Sequence, residues 1–233
     1  MKYTKVNYKN LGLIPYKNAW DLQELYFAEI LAVKKKNKEL KENTSTKNYL
    51  LFCEHPPVYT LGKSGKTSHL LINEEQLKAK GAEFYRINRG GDITYHGPGQ
   101  ITGYPILDLD NFKLSIKDYI FRLEEVLIRV LAHYNIKADR SEGETGVWLD
   151  TEDPLKARKI GAIGARISQM VSMHGFALNV NTDLDFYNHI IPCGIVDKGV
   201  TSLQKELGKT IAIEEVQNLL LKEFVLVFGM IFE

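Results

Sequence analysis

The chain has 233 residues, 44% of them hydrophobic, which is enough for one sizeable core. Thirty basic residues against 29 acidic ones leave a formal net charge of +1, so overall charge favours neither nucleic acid nor an anionic membrane surface as a partner. No run of about 18 apolar residues occurs, which argues against a membrane span, and the opening MKYTKVNYKN lacks the apolar stretch of a secretory signal. A cytoplasmic protein is expected. The two cysteines, Cys53 and Cys193, form no CxxC pair and the histidines are scattered, so neither a disulfide nor a metal site is expected.

In chain order, Leu22, Leu25, Ala28, Leu31 and Ala32 recur at helical spacing and predict a helix over Asp21–Glu39. It runs into KKKNKELKENTSTKN, which reads as a solvated loop or frayed end. Strand-like runs follow at Tyr49–Cys53, Val58–Leu61, Glu83–Asn88 and Ile101–Leu107. The clearest helix covers Ile116–Asn135, with Ser115 as its N-cap and an apolar set that includes Tyr119, Leu123, Val126, Leu127, Val130 and Leu131. Further strands are predicted at Val147–Leu149, Lys159–Ile167 and Met173–Val180. A last helix follows Thr210, and its tail FVLVFGMIF reads equally as a continuation or a short strand. Strands and helices mix without the beat of βαβ units. That predicts an α+β fold, a two-layer α/β arrangement of a mostly antiparallel sheet with helices on one face. No repeat or linker divides the chain, so residues 1–233 are expected to form one domain.

The densest signal is Arg89-Gly-Gly-Asp-Ile-Thr-Tyr-His-Gly-Pro-Gly-Gln100. Four glycines and a proline in twelve residues argue against ordinary strand or helix. Glycine lets backbone approach a ligand closely, and Arg89, Thr94, Tyr95, His96 and Gln100 add polar heads. A ligand-cradling loop is favoured over a plain turn between strands. Upstream, Gly65-Lys66-Thr67 mimics the end of a phosphate-binding P-loop, but the pattern needs glycine at position 60, where Thr60 stands. No GxGxxG follows a strand either, so a nucleotide cofactor has no support.

Cys193 sits between Pro192 and Gly194, in a turn where a thiol can be reactive, whereas Cys53 lies in the apolar run LLFCEH and reads as filler. A nucleophilic thiol needs a cation, base or helix N-terminus beside it. His96, His174, His189, Lys159 and Lys198 are candidates, and local sequence does not choose among them. Lys159 opens the small-residue strand KIGAIG; alone it reads as a strand-end lysine facing solvent. His174 reads by itself as a core histidine.

Together these segments carry a resemblance. RGGDITYHGPGQ followed by Tyr104-Pro105, with EHPPVYTLGK at 54–63, Thr145-Gly-Val-Trp148, Lys159–Gly164, His174–Asn179, Pro192-Cys193-Gly194 and Thr201-Ser202-Leu203 in the same order, resembles the lipoyl(octanoyl) transferases of lipoate biosynthesis. The resemblance implies the catalytic fold shared by biotin and lipoate protein ligases. It implies an acyltransferase that moves octanoate from octanoyl-acyl carrier protein to a lysine of lipoyl domains, those of 2-oxoacid dehydrogenases and the glycine cleavage H protein. Cys193 would be the thioester nucleophile and Lys159 its partner. Substrate would be bound by Arg89, Gly90, Gly91, Asp92, Ile93, Thr94, Tyr95 and His96, by Ala162, Ile163 and Gly164, and by Gly175, Phe176 and Ala177. Ala162 stands where many members carry serine, so a hydroxyl contact is lost there. The Lys34–Lys47 stretch is longer than usual and has no functional reading.

Two half-reactions through a thioester need no ATP and no cofactor. Gly161, Ala162, Gly164, Gly175 and Ala177 are expected to leave room for the acyl chain. The nearest alternative is an ATP-dependent lipoate or biotin protein ligase on the same fold, which needs no nucleophilic cysteine. A monomer is expected, since no extra apolar patch stands out.

Overall fold

The computed structural model describes residues 3–191 and 199–233. Its strands are β1 (Thr4–Leu13), β2 (Tyr49–Glu54), β3 (Val58–Leu61), β4 (Glu83–Arg86), β5 (Ile93–His96), β6 (Gln100–Ile106), β7 (Ala138–Ser141), β8 (Glu144–Leu149), β9 (Arg158–Ser168), β10 (Val171–Asn179), β11 (Gly199–Val200) and β12 (Met230–Phe232). Its helices are α1 (Tyr16–Leu40), α2 (Glu74–Ala79), α3 (Ile116–Ala132), α4 (Leu203–Leu207) and α5 (Ile213–Phe228). Among the described residues the main sheet runs β12-β1-β2-β6-β10-β9-β8-β7, with β11 beside β9, and a small sheet runs β4-β3-β5. Pairing from β2 to β7 is antiparallel throughout, while β1 lies parallel to both its neighbours. The α+β fold with a mostly antiparallel sheet is thus the observed one.

Helices, however, cover both faces of the main sheet rather than one. Along β2, Leu50 and Phe52 enter the core shared with α3 and α5, while Tyr49, Leu51 and Cys53 enter a second core against Ala19, Phe27 and Ile30 of α1. A strand buried on both sides has no polar alternation, which is why YLLFC reads as a continuous apolar run. The low amphipathicity of α1, lysine-rich at its end and only narrowly apolar, hid its role as the second layer.

Element boundaries follow local chemistry. Ser115 caps α3 in a capping box with Asp118. α1 begins at Tyr16 and extends through Leu40, so the first half of the lysine run is helical rather than loop. Lys34 is not solvated: it bridges buried Asp108 at 2.5 Å and Asp110 at 2.6 Å. The C-terminal tail does both things its sequence allowed. FVLVF completes α5, Gly229 ends it with a left-handed φ of +68°, and Met230–Phe232 pairs with β1. β1 itself left no pattern, because it is an outer strand of which Val6 alone is buried.

The glycine-rich segment holds a strand after all. Ile93–His96 pairs antiparallel with Val58–Leu61, from Val58↔His96 to Leu61↔Ile93. The glycines flank those four residues instead of interrupting them: Gly91 takes a φ of +90° before the strand and Gly99 a φ of +77° after it.

Candidate active site

A cavity of about 540 Å³ opens between the two sheets, within the usual range for a small-molecule site. Its floor is the β9–β10 pair, its roof the Arg89–Thr94 segment and His96, and Tyr16, Tyr104 and Tyr187 close other sides. Lys159 and Thr145 stand at one side with Val200. Thirteen of the fourteen substrate-binding residues inferred from sequence line it, all but Tyr95.

The floor is flat because of what its strands lack. Ala162 pairs with Ala177 and Gly164 with Gly175 across the antiparallel register, so at these four positions the floor carries no side chain beyond a methyl. Gly161, expected in the same slot, is on the other face: a Cβ there would meet Leu127 of α3 at 2.8 Å. The two-residue alternation of a strand makes that separation obligatory. Opposite the floor, Arg89 lies over Gly164. Its guanidinium donates to the carbonyls of Gly90 and Asp92 at 2.8 Å each and of Thr60 at 3.2 Å, so the cation is braced by the turn it sits in.

The P-loop mimic turns out to support that turn. The N–H groups of Gly62, Lys63 and Ser64 donate to the carbonyls of Asp92, Arg89 and Gly91. Those donors are therefore spent on the protein and offer no phosphate cradle. A Cβ on Gly62 would sit 2.3 Å from the Gly91 oxygen, which fixes the small residue there.

Tyr95 leaves the site because strand alternation turns its side chain to the far side of the small sheet. There it stacks on Phe186 with centroids 4.6 Å apart and packs with Tyr59. Its neighbours Thr94 and His96 take the cavity side.

Both cavity histidines are held neutral. His96 pairs through Nδ1 with the Gln100 carbonyl oxygen at 2.7 Å, and the Gln100 amide donates in turn to Asn179 at 2.9 Å. Nδ1 of His96 is thus the protonated nitrogen, and burial, with His55 nearby, pushes its pKa down to about 3. His174 adopts a left-handed φ of +59° and meets the Asn88 carbonyl oxygen through Nε2 at 2.8 Å. Burial and the charges of Arg89 and Arg166 push it down to about 3 as well. His189 does not reach the cavity.

Of the two cysteines, Cys53 is core filler. Thr102 spends its hydroxyl proton on the Cys53 carbonyl and accepts from the thiol at 3.0 Å, and burial pushes that thiol up to about 12. Cys193 and Lys198 lie outside the described residues. Lys159 is half-buried; its Nζ donates to the Thr145 carbonyl at 3.1 Å and stands 4.5 Å from the centre of the Trp148 ring. The chain resumes at Gly199–Val200, paired parallel with Arg158–Lys159, and the Thr201 N–H bonds the Lys159 carbonyl at 3.0 Å. Arg158 is occupied by Glu206 and Asp150. Among the described residues no cluster of His, Cys, Asp or Glu could hold a metal ion, and no helix is long and apolar enough to cross a membrane.

Sequence reasoning had no signal for Tyr16, whose ring stacks on His96 at 5.9 Å, or for Tyr187, which hydrogen-bonds Asn179 at 3.3 Å. Both come from segments distant from the glycine-rich motif.

The chain is similar to known proteins in sequence and in fold. Residues 15–225 match the family model described as the lipoyl protein ligase A/B catalytic domain. An octanoyltransferase of Christiangramia forsetii is 59% identical over 221 residues, 94% of each chain. One of Flavobacterium psychrophilum is 56% identical over 224 residues, 96% of each. The bi-partite lipoate protein ligase of Thermoplasma acidophilum, solved in a study of its lipoylation system and E2 lipoyl domain, superposes with a TM-score of 0.69 at 17% identity, covering 100% of this chain and 86% of that one; at that identity the likeness is one of fold. The chain belongs to the lipoyl protein ligase A/B catalytic-domain family, within its octanoyltransferases.

Proposed function

We propose that the protein transfers octanoyl from octanoyl-acyl carrier protein to the lysine of a lipoyl domain, by way of a thioester on Cys193. The observation that carries this reading is the shape of the cavity: a Gly–Ala floor under the braced Arg89 turn, with a lysine at its side. A flat apolar floor suits an unbranched acyl chain. Burying eight methylene-sized groups contributes up to roughly 6 kcal/mol, at about 0.8 each.

In the first half-reaction the Cys193 thiolate, favoured by the Lys159 ammonium, attacks the carrier's thioester carbonyl. Backbone N–H groups are the donors for the oxyanion, and the carrier thiolate leaves with the proton of the Lys159 ammonium, which turns Lys159 neutral. In the second, neutral Lys159 accepts a proton from the acceptor lysine, whose amine attacks the Cys193 thioester. An amide forms and Cys193 is released. One thioester replaces another, so neither ATP nor a cofactor is consumed. With their pKa values held far below neutral by burial, His96 and His174 remain uncharged and act as polar walls rather than bases. The acceptors are lipoyl domains of 2-oxoacid dehydrogenases and the glycine cleavage H protein, and the enzyme works as a cytoplasmic monomer with residues 1–233 as one catalytic domain.

The test is incubation with octanoyl-carrier followed by mass spectrometry of the Cys193 peptide. The octanoyl mass is expected on that peptide and absent from Cys193→Ser; full transfer by Cys193→Ser would sink the covalent route. Because solved lipoate ligases share the fold, transfer is also measured without ATP. A requirement for ATP would favour the ligase alternative.

A further inference from the structure

On α3, an acidic residue interrupts the apolar stripe. Glu124 lies four residues after Ile120 and three before Leu127, on the face that packs the main sheet, and its side chain is buried. Its two oxygens are divided. Oε2 meets Arg140 of β7 at 3.1 Å, and Oε1 accepts the Gly146 N–H at 3.0 Å. Arg140 is also held by Glu125 at 2.9 Å and by the Phe121 carbonyl at 3.0 Å.

The Gly146 N–H and the Thr145 carbonyl are two ends of one peptide group. The carbonyl end accepts from Lys159 Nζ at 3.1 Å. One amide therefore joins a buried carboxylate to the lysine's ammonium. A carboxylate pulling on an amide N–H draws that proton toward itself and pushes electron density onto the carbonyl oxygen, which strengthens the bond that oxygen accepts. Gly146 allows the geometry. Its φ of +131° lies outside what side-chain-bearing residues adopt, and a Cβ there would come within 3.2 Å of Lys159 Cε and 2.8 Å of the Gly161 oxygen. Trp148, two residues on, lays its ring against the same ammonium.

We propose that Glu124 is a positioning residue that holds Lys159 in place, and in its charged form, through the Thr145–Gly146 amide. This deepens the acyl-transfer reading above and rests on it for the use made of Lys159. It explains why a carboxylate is buried on α3 and why glycine follows Thr145. Other ionisable groups on the elements around Lys159 include Asp139 and Arg140 on β7, Glu144 on β8, Arg158 and Arg166 on β9, Lys205 and Glu206 on α4, and Arg89 across the cavity. Arg158 and Glu206 pair with each other, and Glu124 is joined to Lys159 by the bonded path through the Thr145–Gly146 amide.

The experiment follows the Lys159 Cε resonance in the full-length protein labelled with 13C-lysine, assigned by Lys159→Arg, through a pH titration. In Glu124→Gln, which keeps shape and loses charge, the Lys159 midpoint is expected about one pH unit lower. The alkaline limb of the pH profile for octanoylation of Cys193 is expected to move to lower pH by the same interval, with the rate on that limb falling roughly tenfold. Arg140→Gln removes the cation on the far side of the same carboxylate and should move the midpoint upward, so a poorly folding Glu124→Gln does not end the test. Unchanged midpoints in both variants overturn the relay, whatever the activity. A shifted midpoint with an unmoved pH profile of octanoyl transfer upholds the relay and removes instead the catalytic role given to Lys159.

Discussion

Gly164 and Gly175 face each other as register partners across β9 and β10, and neither can carry a side chain for a different reason. A Cβ on Gly164 would sit 2.6 Å from Cδ of Arg89, on the cavity side. A Cβ on Gly175 would sit 2.3 Å from the backbone oxygen of Gly103 in the adjacent strand. One glycine protects the site and the other protects the sheet.

Gly164→Ala and Gly175→Ala should therefore separate activity from stability. Gly164→Ala displaces the braced Arg89 and is expected to cut octanoyl transfer roughly tenfold or more, with little change in the melting temperature. Gly175→Ala forces two strands apart and is expected to cost about 1–3 kcal/mol of stability. Equal thermal shifts in the two variants, measured by calorimetry, would contradict this division.

The Ala162–Ala177 pair should set chain length. Ala162→Val or Ala177→Val adds two methyl groups to the floor, and the preferred donor is expected to shorten by one or two carbons. Each methylene that no longer fits forfeits about 0.8 kcal/mol, or about fourfold in relative kcat/KM. Competition between hexanoyl, octanoyl and decanoyl carriers measures this. An unchanged ranking would mean that the chain does not lie on these residues.

Acid should unfold the protein through its buried histidines. Burial holds His55 down to about 4 and His96 and His174 down to about 3. In the unfolded chain each takes up a proton near pH 6.5, while the folded chain refuses it. Stability is then complete above about pH 6.5 and falls as pH drops toward 4, with a slope approaching three protons, roughly 4 kcal/mol per pH unit at its steepest. Urea melts at several pH values read the slope. His174→Gln should reduce it by close to one proton.

The lysine run should prove unequal residue by residue. Lys34 and Asp108 are largely buried partners at 2.5 Å, whereas Lys35 and Lys36 bridge Glu39 and Glu42 in solvent. Lys34→Ala strands a buried carboxylate and is expected to cost about 3 kcal/mol. Lys35→Ala and Lys36→Ala should each stay within about 0.5 kcal/mol. Denaturant midpoints with similar losses at all three positions would refute the distinction.

The sequence by itself determined the parts that depend on neighbours in the chain. The 3.6-residue beat and the Ser115 cap specified α3 almost to its ends, and the unbroken apolar run of β2 marked a buried strand. The density of glycine and polar heads in Arg89–Gln100 marked the roof of the cavity. Only the tertiary structure decided what those parts face. Periodicity says that Ala162 and Gly164 share a side and Gly161 does not, but it cannot say that Gly175 and Ala177 are their partners. It sent Tyr95 away from His96 once β5 was known to be a strand, a strand that its flanking glycines had concealed. It gave no hint that α1 would form a second layer, because a helix with a narrow apolar face and a lysine-rich end looks solvated until Asp108 is found opposite Lys34. Glu124 is the clearest case. Its charge broke the helical pattern in plain view, and its meaning waited on an amide 22 residues further along the chain.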